Sequence, residues 1–417
     1  MMFYTEFISR ASAGVLAAYF MANSVVLATP IIQPAIQEAG ELDLRSIPLA
    51  DWLDAEEVTE IPWRLRISPA VLRMDQRIEV PYSATVRAKD LNRTGNDHEL
   101  FLISVVSNSE GEWLTRPGVI RQIIDGDVPS EIELRFDTRA FVQPGDYLFW
   151  LVLYDTRTGK HNMTKRRVRV PGIRNDPLPD AFGRLPLVEI PEISRTDAGT
   201  MVRLTGELFL PVRNIRRVEV ELISTMSPPE QWTNRGRMVR NHSEFTSGAI
   251  SALSQIEIAN GSLSITGLDL VRREVAFDQR DFRRIDWPAL MKALREAETP
   301  AISAAALQGR KTNGAFFRDF LNERVNAEEA GPETPLRVFI IVSGSLLFER
   351  GADLSPLELE GDCGCRVYHL RFRLSRNDLF DELQKVIRPL RPRTFDLRVP
   401  ADLRKAIAEI LEDIGTS

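Results

Sequence analysis

The feature that most constrains the fold is an unbroken apolar run near the carboxyl end of the chain. Leu336–Phe348 reads LRVFIIVSGSLLF, and its centre, Val338 to Val342, contains only β-branched and aromatic side chains. A strand that is apolar on both faces must be covered on both faces, which is typical of a central strand in a parallel sheet. The run therefore predicts a central strand between helices. It ends in Ser343-Gly344-Ser345, at the edge where such sheets usually bind ligands.

Residues 61–172 consist of short alternating apolar segments separated by turn-rich pieces. Strands at this spacing predict an all-β sandwich. In the strand that follows Pro144-Gly145, the side chains of Tyr147, Phe149, Leu151 and Leu153 share one face. The predicted strands are Trp63–Ile67, Arg77–Arg87, Leu100–Ser107, Glu131–Phe136, Asp146–Tyr154 and Thr164–Val170.

After residue 172 the sequence pattern changes first to a proline-rich stretch and then to alternating strands and helices. Five prolines lie between positions 171 and 191, and because proline cannot join an internal ladder we predict a linker at residues 173–199. From residue 200 to 417, strands alternate with helical stretches, and the last helix begins at Pro400, a position at which proline is tolerated. This alternation predicts an α/β domain around the apolar run.

The first 28 residues are predicted to be a signal peptide, followed by a leader at residues 29–60. Ala11–Leu27 is apolar, and Val26-Leu27-Ala28 fits a small-residue cleavage site. We expect an extracytoplasmic protein, periplasmic or secreted, without a membrane span after cleavage. The alternative is an uncleaved N-terminal anchor, although the segment is short for a span of about 20 residues.

The overall charge argues against one class of partner. Lys and Arg number 53 against 59 Asp and Glu, which gives a formal net charge of −6. A general nucleic-acid binder needs a basic surface, so we expect no nucleic acid.

The sequence contains no recognised catalytic motif, so we predict no catalytic residue and no cofactor. It has no Gly-x-Ser-x-Gly elbow, phosphate-binding glycine loop, dinucleotide fingerprint or His-Glu-x-x-His. His369 falls in a predicted strand, which favours a core histidine over a catalytic one. Ser343 or Ser345 as a nucleophile needs a base, and no motif marks one.

Cys363 and Cys365 are the two cysteines, in the stretch Gly361-Asp-Cys-Gly-Cys365. Outside the cytoplasm they are able to form a disulfide with each other. One interpretation is a redox pair, since a bridge across a single residue is strained and reducible. The other is an incidental loop before a strand.

Several short words resemble a known family. Ala252–Asp269 (ALSQIEIANGSLSITGLD), Val275–Asp278, Asp286–Leu290 and Arg391–Phe395 are similar to secreted von Willebrand factor type A-related proteins of the acidobacterial kind, whose function is unassigned. The resemblance implies an α+β chain of two domains. These are an immunoglobulin-like β-sandwich at 61–172 and, at 200–417, a Rossmann-like type A domain with a mostly parallel central sheet.

The resemblance also implies where a metal site would lie. Type A domains bind Mg²⁺ or Mn²⁺ through Asp-x-Ser-x-Ser after the first strand, a Thr from a second loop and an Asp after the fourth strand. Thr225 and Ser227 match the two hydroxyls, but Ile223 stands where the carboxylate belongs, and Ser343 begins a loop without an Asp. Neutral hydroxyls alone hold a hard divalent cation weakly. We therefore treat Thr225, Ser227 and Ser343 as vestigial positions and expect no metal.

Together these observations predict a non-catalytic protein-interaction or scaffold protein. Its expected partner is another envelope or extracellular protein. The alternatives are a metal-dependent adhesion protein and, with less support, a thiol-redox or hydrolytic enzyme.

Overall fold

The computed structural model describes residues 42–91, 97–124, 126, 128–196, 199–228, 236–298, 309–327, 334–361, 363–373 and 381–416. The predicted signal peptide, residues 1–28, and the predicted leader up to residue 41 lie outside these ranges. No helix in the described ranges is long and apolar enough to cross a membrane.

The first part of the chain forms two facing β-sheets. Their spatial orders are β1-β9-β8-β5-β6 and β10-β7-β4-β2, with β3 paired to β4. Side chains from both sheets, among them Val86, Leu100, Phe136 and Leu153, form the apolar layer between them. The strands are β1 Val58–Thr59, β2 Trp63–Ile67, β3 Val71–Leu72, β4 Ile78–Arg87, β5 His98–Asn108, β6 Gly118–Ile124, β7 Glu133–Val142, β8 Gly145–Asp155, β9 His161–Val170 and β10 Val188–Glu189.

The outer face of the first sheet is also apolar, and the segment before the sandwich covers it. Helix α1, Leu49–Asp54, packs Leu49 and Leu53 against Phe101 and Trp150. β1 then pairs with β9, which adds residues of the predicted leader to the sheet. Residues 49–59 are thus part of the sandwich structure. A short helix, α2 Ala88–Leu91, follows β4.

The predicted linker is packed rather than free. It contains the 3-10 helix Pro179–Phe182 and the strand β10, which pairs with β7. Arg404, from the last helix of the chain, donates hydrogen bonds to both carboxylate oxygens of Asp176 at 2.6 and 2.8 Å and to the Leu178 carbonyl at 2.7 Å. Its guanidinium also lies 4.6 Å from the centre of the Phe182 ring. These contacts attach the linker to the second half of the molecule.

The second half is centred on a six-stranded sheet of order β17-β16-β14-β18-β19-β20. The β16–β14, β14–β18, β18–β19 and β19–β20 pairs are parallel, and β17 runs antiparallel to β16. Two further two-stranded sheets, β11–β12 and β13–β15, lie outside it. The strands are β11 Glu192–Thr196, β12 Gly199–Arg203, β13 Leu210–Val212, β14 Val218–Thr225, β15 Ile256–Ile258, β16 Gly261–Asp269, β17 Glu274–Gln279, β18 Leu336–Gly344, β19 Arg366–Phe372 and β20 Arg393–Leu397.

Helices cover both faces of β18, which explains the apolar run. Val338 and Ile340 belong to the same apolar cluster as α3, α4 and α7, whereas Phe339 and Ile341 belong to the cluster of α5 and α6. Burying each such side chain contributes about 1.5–3 kcal/mol to folding. The helices are α3 Gly236–Leu253, α4 Trp287–Glu298, α5 Asn313–Val325, α6 Leu383–Ile387 and α7 Pro400–Gly415.

The fold class predicted from the sequence is wrong. Among the described residues ten strand pairings are antiparallel and five are parallel, so the chain is a β-rich protein of antiparallel and mixed sheets. The six-stranded sheet is itself mixed, and a Rossmann-like, type A-like domain is not supported. The apolar run bears only on β18 and its two neighbours, β14 and β19, which are indeed parallel to it. It carries no information about β17, which is antiparallel to β16, or about the antiparallel sheets of the first half of the chain.

Candidate functional site

The structure brings the three vestigial positions to one edge of the six-stranded sheet. Thr225 ends β14, and Ser343 lies near the end of the neighbouring strand β18, where Ser224 and Val342 are register partners. Thr225 and Ser343 are fully buried, and Ser227 is 2% exposed. The Ser227 hydroxyl accepts a hydrogen bond from the backbone N–H of Leu270 at 3.0 Å. This edge is therefore enclosed.

The position at which a metal site would need its carboxylate is apolar. Ile223 is fully buried opposite Ile341 and packs in the cluster that contains Phe317. Asp269 does reach the same edge, but its carboxylate accepts hydrogen bonds from the backbone N–H groups of Val271 and Arg272. The described residues bring together no group of three or more His, Cys, Asp and Glu that is able to hold a metal ion.

A buried polar cluster lies beside Ser343. The hydroxyl oxygen of Ser343 is 2.9 Å from Nε2 of His369, and Oδ2 of Asp381 is 3.9 Å from the same nitrogen. Both the Ser343 and His369 residues are fully buried, and the Asp381 side chain is 0% exposed. Oδ1 of Asp381 accepts backbone hydrogen bonds from Leu346 at 3.1 Å and Leu383 at 3.2 Å. The carboxylate thus joins the end of β18 to the start of α6.

This cluster has the residue types of a catalytic triad but not its geometry. In a triad the carboxylate orients the histidine through Nδ1, whereas Asp381 lies nearest to Nε2, the nitrogen that contacts Ser343. Burial, with the positive charge of Arg371, lowers the pKa of His369 to about 3. A general base is most effective when its pKa is near the working pH, so this imidazole is a poor base. The sealed cluster supports the fold rather than a reaction.

The pKa values of the neighbouring Asp381 and His369 side chains are shifted in opposite directions. Burial raises the pKa of Asp381 to about 6, against the backbone hydrogen bonds and Arg371, which lower it. His242 is buried as well, near the end of β14, and burial lowers its pKa to about 4, partly offset by hydrogen bonding to the backbone of Thr225 and Met226. At neutral pH both histidines are uncharged.

The accessible feature lies at the opposite end of the same strands. A cleft of about 600 Å³ opens beside the first residues of β19 and β20. A disulfide joins Cys363 and Cys365 on its wall, and both cysteines are half-buried. The volume is within the range of ligand pockets, roughly 300–1,000 Å³. The lining residues are Leu359, Gly361, Cys363, Cys365, Arg366, Val367, Tyr368, Pro389, Leu390, Arg391, Arg393 and Asp413.

The charged groups of the cleft are three arginines and one carboxylate. Arg366 pairs with Asp413 at 3.1 Å, and the Tyr368 hydroxyl donates to the same carboxylate. Burial, and then the hydrogen bond to Asp413, raise the pKa of Tyr368, so the phenol remains a donor. Arg393 pairs with Glu409 of α7. The carboxylates that border the cleft are therefore engaged.

Arg391 differs from the other two arginines. It is exposed, and within the described part of the chain no carboxylate lies within ion-pair distance of its guanidinium. Its backbone is left-handed, with φ 48° and ψ 52°, at the end of the 3-10 helix Arg388–Leu390. Side chains larger than glycine rarely adopt this conformation because Cβ approaches the following carbonyl. The strained backbone holds an uncompensated positive charge at the cleft.

Of the acidic residues in the loop before the disulfide, those that the structure describes do not line the cleft. Leu359 and Gly361 line it, whereas the intervening Glu360 and the preceding Glu358 are exposed and are not among the lining residues. Asp353, farther back in the same loop, pairs with Arg318 at 2.7 Å. Asp362 lies outside the described residues.

Comparison with known proteins identifies no family. No family model matches the sequence, and no curated protein matches it. The structure is similar to the structural-genomics target SoR45, with 9% identity over 27% of this chain and 90% of that one and a TM-score of 0.18. The putative ApaA protein from Bordetella pertussis is 10% identical over 27% of this chain and 98% of that one, with a TM-score of 0.16.

A longer likeness is to a glycosyl hydrolase family 2 member from Bacteroides cellulosilyticus. It has 9% identity and a TM-score of 0.18 and covers 74% of this chain, which spans 41% of that protein. Scores this low support no inference about fold or function. The von Willebrand type A resemblance receives no support from any of the three comparisons.

The sequence analysis missed the residues that matter most in the buried cluster around Ser343 and in the cleft beside the disulfide. It considered Ser343 and His369 separately, because a contact between neighbouring strands depends on register. It gave Asp381 no role, and the structure places this aspartate two residues before the start of α6. Arg391 lies in Arg391–Phe395, one of the stretches that carry the family resemblance. The only local sign of its importance was a basic residue between two prolines, just before β20.

Proposed function

We propose that this protein is an extracytoplasmic, non-catalytic interaction protein that binds its partner through the cleft beside the Cys363–Cys365 disulfide. The cleft carries the proposal because it combines a ligand-sized volume with guanidinium groups and a wall that is partly apolar. Arginine is favoured at recognition surfaces because its planar fork gives directional hydrogen bonds.

Three other observations support the proposal. The histidine and serine that would do chemistry are sealed at the opposite end of the strands and are out of reach of a substrate. The intrachain disulfide suits an oxidising compartment, since disulfides persist in secreted and periplasmic proteins. Tight packing of the linker on α7 presents the cleft on one connected body of structure.

The test is affinity capture by the full chain with a C-terminal tag from the envelope fraction of the native host, under mild cross-linking. A second bait carries Arg391→Glu and Arg393→Glu, which reverse charge in the cleft. The control bait carries Arg398→Glu, an exposed arginine just beyond β20 that does not line the cleft. We expect a stoichiometric partner with the unchanged chain and the control, and loss of that partner with the double variant.

Two results would contradict the proposal. One is capture of nothing above the untagged background by the unchanged chain. The other is equal capture by all three baits, which would place the interface away from the cleft.

A further inference from the structure

The volume of the cleft shows only that a ligand fits. The chemistry of its lining residues indicates which groups the partner presents. Resting on the proposed function, we infer that the cleft binds an acidic peptide segment, in which carboxylates meet Arg391 and its neighbouring arginines and apolar side chains fill the wall beside the disulfide.

The first step of the argument is charge. Arg366, Arg391 and Arg393 supply three positive charges, and Asp413 and Glu409 compensate two of them by ion pairs. Among the described residues, three minus two leaves one positive charge at this cleft, in a chain whose formal net charge is −6. Arg391 is the group that carries it. A guanidinium is able to bind a carboxylate with two parallel hydrogen bonds, which makes a carboxylate the complementary group.

The second step is the apolar part of the wall. Leu359, Val367, Pro389 and Leu390 line the cleft together with the half-buried disulfide. A small inorganic anion would leave this surface wet, whereas a peptide with alternating acidic and apolar side chains covers it. Val367 and Leu390 are themselves buried, so the apolar surface open to a ligand belongs to Leu359, Pro389 and the disulfide. Burial of apolar surface contributes roughly 25 cal/mol per Å², so this surface favours a peptide over a free anion.

The third step concerns the backbone of Arg391. Glycine or asparagine would adopt its left-handed conformation with less strain, yet the position holds a long cation directed at the cleft. Four other non-glycine residues of the described chain also have a positive φ, and Arg391 is the one that lines the cleft. Strained residues are found at functional sites, which fits a side chain held in that place.

The experiment measures binding of synthetic peptides to the full chain by calorimetry. The probe is an eight-residue peptide of alternating Glu and Leu with blocked ends. The matched control peptide replaces every Glu by Gln, and inorganic phosphate serves as the free-anion control. We expect the Glu peptide to bind more tightly than the Gln peptide by about tenfold or more, as is typical of hydrogen bonds to charged groups, and to weaken as salt rises.

The matched variants are Arg391→Gly and Arg391→Asn, both of which suit a left-handed backbone. We expect each to weaken the Glu peptide by about tenfold or more while the melting temperature stays the same or rises. The control, Arg398→Gln, leaves peptide affinity unchanged. A residue that only terminates the 3-10 helix would alter the melting temperature without altering peptide affinity.

Equal binding of the Glu and Gln peptides, or unchanged Glu-peptide binding by Arg391→Gly, would overturn the inference. Preference for phosphate over the Glu peptide would assign the cleft to a free anion and would also overturn it. A captured natural partner that depends on the cleft but is not displaced by the Glu peptide would sink this inference and leave the proposed function standing. Peptide binding at the cleft without any captured partner would support this inference and contradict the proposed function.

Discussion

Asp381 shows how one buried carboxylate ties the end of a strand to the start of a helix at an electrostatic cost. Its Oδ1 holds the backbone N–H groups of Leu346 and Leu383, while its charge is out of contact with water. Since burial raises its pKa to about 6, the folded state binds this proton more tightly than the unfolded state does. The stability that this proton gives is fully present below about pH 4 and is lost as pH rises through about 6.

We predict that Asp381→Asn stabilises the protein at neutral pH. Asparagine keeps an oxygen for both backbone hydrogen bonds and removes the buried charge, and a shift of about two pKa units corresponds to about 3 kcal/mol. Urea unfolding should give similar free energies of unfolding for both chains near pH 3.5 and a higher value for the variant at pH 8.

The histidines provide the control for this measurement. His242 and His369 have lowered pKa values, so the stability tied to their neutral forms is present above about pH 6.5 and is lost as pH falls toward 4 and 3. Both histidines are neutral in the folded protein at pH 8 in both chains, so the difference in free energy of unfolding at that pH reports on Asp381. Parallel curves, or a variant that is less stable at pH 8, would contradict the prediction.

At the scale of elements, α7 illustrates what a sequence pattern contains and what it omits. Its start at Pro400 and its apolar stripe, which includes Leu403, Ile407 and Ile410, are visible in the sequence, and the structure begins the helix at Pro400. Arg404 lies next to that stripe and is 1% exposed. Its partner, Asp176, is 228 positions away, and no local pattern predicts such a pairing.

We predict that Arg404→Leu lowers the free energy of unfolding by about 3 kcal/mol. Burial alone would raise the pKa of Asp176, but hydrogen bonds from Arg404 and from the Leu178 backbone hold it below its usual range, so the carboxylate is ionised. Removing one member of a buried pair leaves the other uncompensated. Guanidinium chloride unfolding measures the loss.

The controls for Arg404 lie close by. Asp176→Asn added to Arg404→Leu should recover part of the loss, since asparagine keeps an acceptor for the Leu178 N–H without a charge. Lys405→Leu, at a side chain that is 75% exposed, should change stability by less than about 0.5 kcal/mol. If Arg404→Leu lowers the free energy of unfolding no more than Lys405→Leu does, the contact between Arg404 and Asp176 does not stabilise the fold.

At the scale of the whole molecule, the sequence located elements better than it located their arrangement. Trp63–Ile67 is a strand at the predicted bounds, and predicted strands overlap β8, β18 and β19. β6 was missed because its edge position leaves the apolar pattern weak, with Ile123 47% exposed. Strand direction and the pairing of β10 with β7 depend on contacts between distant segments, so the fold class was wrong.

The same limit applies to the candidate site. The Cys363–Cys365 proximity is visible in the sequence, but a cleft is formed by the ends of strands and helices that meet only after folding. Arg391 acquires its role from a backbone angle and from the ion pairs of its neighbours, neither of which leaves a trace in the local pattern.

Helix α1 affects how readily the protein aggregates in solution. Six residues are too few for a stable isolated helix, so α1 exists only while its leucines rest on the sheet, and its detachment is a low-cost local opening. Each opening uncovers Phe101, Ile103 and Trp150, an adhesive apolar patch. A shortened chain that begins at residue 56 lacks α1 but keeps β1, and it would carry this patch permanently. We expect its light scattering to rise with concentration far more steeply than that of a chain that begins at residue 42, and equal scattering would show that α1 shields nothing.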